Sequence, residues 1–476
     1  MTMESDGEVA RYHFGPLERR GVVAGWRGGQ IGAVAGGLVL AVLVLRAAST
    51  LAGIALALVV LGASVALATW PLAGRTAEEW APDAVRHVVD QTGRRRAARS
   101  DIFGSLRLLC VESADEHGSA AVVHDRDRGT YTAVVVATGP GFVLLGPQDK
   151  EHRISAWSGV LAALARQGSA VHRLQWSARS LPDDGREVRR HLRSSAVLDT
   201  TSAPYRSYGA LLDAESATAH THQVQLALTV DARRGARAVK AAGGGHRGAC
   251  TVVLREMSAL RRLLGEAGVD CGPVLDVEDL TVAMRHGYDR QPATRAARRR
   301  GAPGGARWPW PMAVHGAWSH ARVDGTWHVT YWVAEWPRRD IGPDFLGPLL
   351  VSDVRRTMAL VMEPISAVDA ARRIERARTA DMADAELRRR GGFLHSARRR
   401  REEEVLARRE VELADGHANY RFAGYVTVTA DDPAALDDAC SRTEQAAGRA
   451  GLELRRCYGD QARAFSCTMP LGRGLP

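Results

Sequence analysis

The feature that most constrains this chain is a run of uncharged, mostly apolar residues from Gly28 to Trp70, interrupted by a single charged side chain, Arg46. Divided at Arg46, each half is close to the ~20 residues that cross a ~30 Å hydrocarbon core as an α-helix. An arginine inside one long membrane helix is costly, whereas at a turn its guanidinium reaches water. The run therefore predicts a two-helix transmembrane hairpin over residues 28–70 with its turn near Arg46.

Two alternatives to a hairpin are a cleaved signal peptide and a buried pair of soluble core helices. A signal peptide has a short basic start and one apolar segment of about 7–15 residues. Here the leader over residues 1–27 is polar and carries acidic residues, and a second apolar half follows the first. The pairs Gly28-Gly29 and Gly36-Gly37 suit the close approach of two membrane helices.

The arginines that flank the run predict its orientation. They are Arg11, Arg19, Arg20 and Arg27 before it, and Arg75, Arg86, Arg94, Arg95, Arg96 and Arg99 after it. Because basic residues stay on the cytoplasmic side, both termini are expected in the cytoplasm of a multi-pass protein of the inner (plasma) membrane that contacts membrane lipid.

Length and composition bound the remainder of the chain. The 476 residues exceed what one core usually supports, so more than one cytoplasmic domain is expected. The six cysteines are scattered and form no CxxC pair, which favours reduced thiols over a zinc site or a disulfide framework. Nearly all of the basic residues are arginines, and the net charge of +10 suits an anionic membrane surface or nucleic acid. The favoured interpretation is the coding bias of a GC-rich genome together with proximity to a membrane.

The pattern along the chain predicts an α+β fold with mostly antiparallel sheets, in two cytoplasmic domains. The first covers residues 71–288, a Pro-, Gly- and Arg-rich linker covers 289–311, and the second covers 312–476. In the first domain, residues 119–138 predict a β-hairpin, 170–178 and 223–230 predict strands, and 153–167, 247–267 and 276–288 predict helices.

In the second domain, Asp324-Gly325 is the turn of a hairpin over residues 314–337. A strand over 356–364 and a long helix over 367–414 follow. Residues 420–430, 433–447, 452–459 and 463–472 then predict a β-α-β-β order, which is half of a ferredoxin-like sheet.

Six tryptophans lie close together at Trp308, Trp310, Trp318, Trp327, Trp332 and Trp336. With nearby arginines they could stack nucleotide bases. The favoured interpretation is instead that Trp327, Val329, Tyr331 and Val333 share one strand face and pack the core, while Trp332 and Trp336 cover the other face or a partner. Direct nucleic-acid binding is the less favoured reading.

No catalytic, cofactor-binding or metal-binding residue is predicted. The chain has no GxxxxGK[ST], HExxH or GxSxG sequence, and GGGHRGAC over 243–250 is interpreted as a loop and helix start. Asp125 and Asp127 are placed on a solvated hairpin turn. His220 and His222 offer only two metal ligands.

Several segments resemble known secretion proteins. YHFGPLERRGVVAGWRGGQ at 12–30, GRTAEEW at 74–80, HVTYWVAEWP and MPLGRG are similar to an actinobacterial integral membrane family of conjugation-like loci. The amino-terminal hairpin resembles the PrgI-like membrane subunits of type IV secretion. The region from the long helix through DGHANYRFAGYVTVTADDPAALDDAC to RAFSCTMPLGRG resembles the non-motor amino-terminal domain of VirB-type secretion ATPases.

The resemblance implies a non-enzymatic inner-membrane scaffold subunit of a type IV-like secretion or conjugation apparatus. Such a subunit would recruit a separate VirB-like ATPase and other apparatus subunits, and homo-oligomerisation is an expectation borrowed from the same likeness. One alternative is an EccE-like membrane component of type VII secretion. The other is a membrane-bound enzyme of unknown chemistry.

Overall fold

The computed structural model describes residues 28–47, 50–69, 101–113, 118–139, 145–182, 186–195, 199–216, 220–289, 309–372, 374–376 and 418–475, with single positions at 84, 379 and 411. The predicted leader, most of the 289–311 linker and most of the 367–414 helix lie outside these residues.

The helices are α1 (Gly28–Ala47), α2 (Leu51–Thr69), α3 (Asp101–Gly104), α4 (Pro147–Leu164), α5 (Arg186–Ser195), α6 (Ala203–Ser216), α7 (Ala236–Ala241), α8 (Gly245–Glu266), α9 (Val277–Arg285), α10 (Gly347–Leu350), α11 (Pro433–Arg449) and α12 (Gln461–Thr468). The strands are β1 (Leu106–Ser113), β2 (Gly118–Asp125), β3 (Thr130–Thr138), β4 (Val171–Pro182), β5 (His220–Asp231), β6 (Asp270–Val274), β7 (Val314–Gly316), β8 (Ala321–Val323), β9 (Thr326–Glu335), β10 (Arg356–Ile365), β11 (Asn419–Ala430) and β12 (Glu453–Arg456).

All these strands join one 12-stranded sheet in the order β1-β2-β3-β5-β4-β10-β11-β9-β8-β7, with β6 on β3 and β12 on β9. Every pairing is antiparallel. The central strands are rich in valine, threonine and aromatic residues, which fit a pleated surface. Strands from both sides of residues 289–311 meet where β4 pairs with β10. The division into domains stays a prediction.

One face of the sheet, which we call the helical face, carries the main apolar core. Leu174, Leu226 and Leu228 on this face pack against buried residues of α8 such as Met257 and Leu260. Further along the sheet, α11 packs on β9 and β11 through smaller apolar clusters. The alternation of strand side chains explains this layer, because every second residue points to the same face.

The opposite face, which we call the polar face, is also buried, and it mixes polar side chains with apolar ones such as Val134 and Ala227. Its buried polar members are Thr132, Arg173, Gln175, Ser177, Arg179, Gln225, Thr229, His328, Thr330, Thr427 and Thr429. It is covered by α9, by α12 and by the chain that follows α12. Because buried polar groups must find hydrogen-bond partners, this face fixes its cover through specific contacts.

The membrane hairpin predicted over residues 28–70 was wrong. Helices α1 and α2 do form there, and they approach so closely that a Cβ on Gly37 would lie 2.1 Å from Ser64 Oγ. Within the described parts of the chain, however, no helix is both long and apolar enough to cross a membrane. The prediction counted uncharged residues, whereas transfer free energy scales with apolar surface, of which glycine and alanine supply little. The predicted location, a multi-pass protein of the inner membrane with both termini in the cytoplasm, was therefore also wrong.

The predicted fold class was wrong in that amino-terminal part, and one large antiparallel sheet with helices is found. The hairpins at 119–138 and 314–337 are confirmed as β2–β3 and β8–β9. The strand predicted over 463–472 is instead helix α12 followed by an irregular segment. Gln461, Ala464, Phe465 and Thr468 are buried on α12, which is the spacing of a helix.

Candidate functional site

A cluster of exposed and half-buried aromatic and basic side chains lies near the end of the sheet formed by β8, β9 and β12. We call it the aromatic–arginine surface, and its members are Trp318, His320, Arg322, Trp327, Arg456 and Tyr458.

The β8–β9 hairpin places the first part of this surface. Asp324 adopts a φ of 54° in the turn, and its carboxylate accepts a hydrogen bond from the Ala313 N–H at 2.8 Å. Aspartate tolerates this left-handed conformation better than most residues. The register sets Arg322 directly opposite Trp327, so both side chains lie on the helical face. The Arg322 guanidinium carbon lies 5.5 Å from the Trp327 ring centroid, which is a cation–π contact.

Strand β12 supplies the second part. Arg456 is opposite Tyr331 in the register, and its guanidinium carbon is 5.8 Å from the ring centroids of both Tyr331 and Tyr458. Tyr458 stacks on Trp318 with centroids 6.4 Å apart and an angle of 29° between the ring planes. The Gly459 N–H donates to the Trp318 carbonyl at 2.8 Å, which ties the two loops together.

Helix α11 supports the surface from below. The Tyr331 hydroxyl donates to Glu444 Oε1 at 2.7 Å, and burial raises the pKa of Tyr331, so the phenol stays protonated. The ring centroids of His320 and Trp327 are 4.9 Å apart. Burial, followed by the charges of His315 and Arg456, lowers the pKa of His320. The imidazole is therefore mainly neutral at pH 7.

The composition of this surface suits the recognition of another protein. Trp318 is 40% exposed and Arg322 is exposed, while Trp327 and Tyr458 are half-buried. Tryptophan, tyrosine and arginine dominate the binding energy of protein interfaces when they are held rigidly. Here stacking and cation–π contacts hold the rings before any partner arrives, which reduces the entropy lost on binding.

A second arrangement of polar groups, the carboxy-terminal clasp, covers the polar face with residues 469–475. Arg473 donates from Nη2 and Nε to Asp125 Oδ2 at 2.6 and 3.1 Å, and from Nη1 to the Ile102 carbonyl at 2.6 Å. Burial raises the pKa of Asp125, but the Arg473 guanidinium outweighs it and the net pKa is lowered. Asp125 is therefore an ionised, buried partner and not a solvated turn residue as predicted.

Gln175 and Arg173 on β4 hold the clasp from below. Gln175 Oε1 accepts from the N–H groups of Leu471 and Gly472 at 3.1 and 2.8 Å, and its Nε2 donates to the Met469 carbonyl at 2.9 Å. Arg173 donates to the carbonyls of Gly472 and Leu475 at 3.1 and 3.0 Å. The MPLGRG sequence is thus a packing motif whose backbone is bound by two buried side chains.

A third cluster joins His124, Tyr131 and His246 where α8 begins. The Tyr131 hydroxyl and His246 Nδ1 are 2.7 Å apart, and the His124 ring lies 4.5 Å from Tyr131 and 4.7 Å from His246. Burial, then His246, lowers the pKa of His124. The sequence signal for His246 was GGGHRGAC, and the loop and helix start predicted there is confirmed.

The other residues considered in the sequence are not brought together. His220 and His222 lie within β5, and Asp127 is exposed in the β2–β3 turn. Among the described residues, no group of three or more His, Cys, Asp or Glu side chains is placed to hold a metal ion.

The tryptophans divide between core and surface. Trp310 is buried and stacks on Phe103, with ring centroids 6.2 Å apart, and Trp336 contacts Phe345 and Phe422. Trp308 lies outside the described residues. The core role is confirmed for Val329, Tyr331 and Val333, which are buried. Trp327 is half-buried and packs against the same core, and its ring also contributes to the aromatic–arginine surface.

Comparison with known families adds one similarity. Residues 217–333 match the family described as "Putative type VII ESX secretion system translocon, EccE". The match begins just before β5, ends within β9 and includes Trp318, Arg322 and Trp327. No curated protein matches the chain. The similarity supports a secretion-system component, and it favours the type VII alternative over the type IV-like reading.

Proposed function

We propose that this chain is a non-enzymatic subunit of a type VII-like secretion apparatus, and that its aromatic–arginine surface binds another subunit. The observation that carries the proposal is that the EccE-like region contains Trp318 in the β7–β8 loop, together with Arg322 and Trp327 of the β8–β9 hairpin. A secretion ATPase is one partner of this kind, and its recruitment is part of the proposal.

The rigid packing of the surface supports a binding role. Arg322 and Arg456 each lie over aromatic rings, so their charges are presented at fixed positions. Partners with acidic groups and apolar side chains fit such a surface, because cation and ring stand side by side. The neighbouring contacts, which include the Tyr331–Glu444 hydrogen bond, keep the aromatic–arginine surface ordered when no partner is bound.

The test is site-specific photo-crosslinking in the native cells, with the full chain and a photoreactive phenylalanine in place of Trp318. The matched control is the same substitution at Tyr208 on α6, an aromatic residue that is 48% exposed and lies outside the matched region. We expect position 318, and not position 208, to crosslink to a protein encoded with a type VII apparatus. Equal labelling at both positions, or capture at position 318 of proteins unrelated to secretion, would contradict the proposal.

Gene neighbourhood gives an independent check. A mycosin protease gene beside an FtsK-like ATPase gene supports the type VII assignment. A stand-alone VirB-like ATPase gene in its place contradicts that assignment and returns the type IV-like reading.

A further inference from the structure

Arg179 on β4 is the largest side chain that the sheet buries completely, with 1% of its surface exposed. Its Nη1 donates to the carbonyl of Ala283 in α9. Its Nε and Nη2 atoms are buried, and no group of the described residues forms a hydrogen bond with either of them. Buried donors are nearly always paired in proteins, so these two atoms call for an explanation.

The two unpaired atoms are the ones that form a fork. In a guanidinium, the Nε–H and the nearer Nη2–H point in parallel along one edge, and this edge matches the two oxygens of a carboxylate or phosphate. Nη1 faces the other way, toward α9. The free edge of Arg179 is therefore already oriented by its contact with the helix.

Two further cationic or donor groups lie beside Arg179. Arg355 donates to the carbonyls of His286 and Asp289 at 3.3 and 2.7 Å. Arg179 and Arg355 therefore both bind carbonyls at or just after the carboxyl end of α9, where the last carbonyls have no partner within the helix. The Nδ1 atom of His286 is buried and has no hydrogen-bond partner in the part of the chain that the structure describes. Burial, then the charges of Arg179 and Arg355, lowers the pKa of His286 to about 4. The neutral imidazole can donate from Nδ1 in one tautomer.

The charges around this cluster are not balanced for Arg179. Asp289 Oδ2 lies 3.8 Å from Arg285 Nη1, and the negative charges of Asp431 and Asp289 stabilise the charged form of Arg355. The charged group that acts on Arg179 is Arg355, which has the same sign, and burial and Arg355 together lower the pKa of Arg179 to about 10. Within the described residues, no carboxylate forms an ion pair with Arg179. A buried charge of this kind is costly unless a counter-ion meets it.

We propose that the fork of Arg179, with Arg355 and His286 beside it, is a binding site for a small oxyanion, a phosphate or a carboxylate. The oxyanion would accept hydrogen bonds from Nε and Nη2 of Arg179, on the edge of the guanidinium that does not contact α9. His286 is half-buried, and so is Thr357, which lies opposite Arg179 in the β4–β10 register. This site is separate from the aromatic–arginine surface, and it does not depend on the proposed function.

The test is isothermal titration of the full chain with inorganic phosphate at constant ionic strength, with chloride as the balancing salt. The wild-type protein is expected to bind one phosphate saturably. The variant Arg179→Lys keeps the charge but lacks the fork, and we expect it to bind phosphate about tenfold or more weakly, the effect of one charge-assisted hydrogen bond. The matched control is Arg261→Lys on α8, where Arg261 donates to the Cys271 carbonyl and where phosphate affinity is expected to stay unchanged.

Three results would overturn the proposal: no saturable binding of phosphate or acetate by the wild type, equal affinity in the wild type and a folded Arg179→Lys variant, or equal loss in the Arg261→Lys control. The last two would mean an adventitious ion only. If Arg179→Lys does not fold, His286→Leu takes its place, and it is expected to weaken phosphate binding severalfold because leucine has no hydrogen-bond donor. A parallel titration with acetate identifies the oxyanion class, because saturable acetate binding that Arg179→Lys weakens assigns a carboxylate site.

Discussion

The carboxy-terminal clasp predicts a large effect of one small substitution, Gly472→Ala. Gly472 has a φ of +63°, and a Cβ built on it would lie 2.2 Å from Thr229 Oγ1 and 3.1 Å from Thr229 Cβ. Thr229 is 1% exposed, and its hydroxyl is 2.9 Å from the Thr132 hydroxyl, so rotation away from the new methyl group would break that hydrogen bond. The left-handed backbone costs alanine about 1–2 kcal/mol, and overpacking a buried site adds about 1–3 kcal/mol.

We therefore expect Gly472→Ala to lower the free energy of unfolding by about 2–5 kcal/mol. The assay is urea unfolding followed by tryptophan fluorescence. Gly168 is the matched control, because its φ is +80° but a Cβ there would meet nothing within 4 Å. Gly168→Ala should show the backbone cost alone, about 1–2 kcal/mol.

A double-mutant cycle separates the clash from the backbone cost. Thr229→Ala removes the obstructing hydroxyl and by itself costs about 1 kcal/mol, the net worth of its hydrogen bond. In the Gly472→Ala, Thr229→Ala double variant, the loss should be smaller than the sum of the two single losses by about 1 kcal/mol or more. If Gly472→Ala destabilises no more than Gly168→Ala, or if the two changes are additive, the packing account of the clasp is refuted.

Three further predictions concern charge, protonation and the surface. Arg473→Met leaves the Asp125 carboxylate buried without its partner and should lower the free energy of unfolding by about 3–5 kcal/mol near pH 7. Because the pKa of Asp125 is lowered in the fold, the difference in unfolding free energy between wild type and variant is present above the unfolded pKa of ~3.9 and should disappear as the pH falls through the lower, folded pKa. A constant difference down to pH 2 would argue against this ion pair as its source. Burial lowers the pKa of His328 to about 3, so this residue alone should lower the free energy of unfolding by about 1.4 kcal/mol for each pH unit below ~6.5. In urea unfolding at several pH values, His328→Gln should show a pH slope that is shallower by that amount. An unchanged slope would exclude His328 as its source. Trp318→Ala should weaken binding of a captured partner by about 2 kcal/mol, roughly 30-fold, with little change in unfolding, whereas Tyr208→Ala should change neither; equal effects on partner binding would count against the surface.

Local signals in the sequence were enough for the hairpins and for several helices. Asp324-Gly325 specifies its turn through residues that tolerate positive φ, and the alternation of QVQLALTV specifies a strand with one apolar face. The same kind of signal misled over 463–472, because the alternation of a few small and apolar residues resembles a strand. Gln461, Ala464 and Phe465 are buried against the polar face, and their spacing of three to four residues is that of one face of a helix.

The candidate site depended on register that no local pattern contains. Tyr458 reaches Trp318, and Arg456 reaches Tyr331, only because β12 pairs with β9, more than a hundred residues away along the chain. The ion pair of Asp125 with Arg473 joins residues 348 apart in sequence. Nor did the scarcity of charge between Gly28 and Trp70, where Arg46 is the single charged residue, specify a membrane span, because it says nothing about how much apolar surface each position offers.

The measurement that tests the central claim most directly is affinity purification of the tagged full-length protein from its native cells, followed by mass spectrometry of what comes with it. The account predicts recovery of type VII apparatus subunits, including an FtsK-like ATPase, and their loss in the Trp318→Ala variant but not in Tyr208→Ala. Recovery of a VirB-like ATPase, or of no secretion subunit after cross-linking, would contradict it.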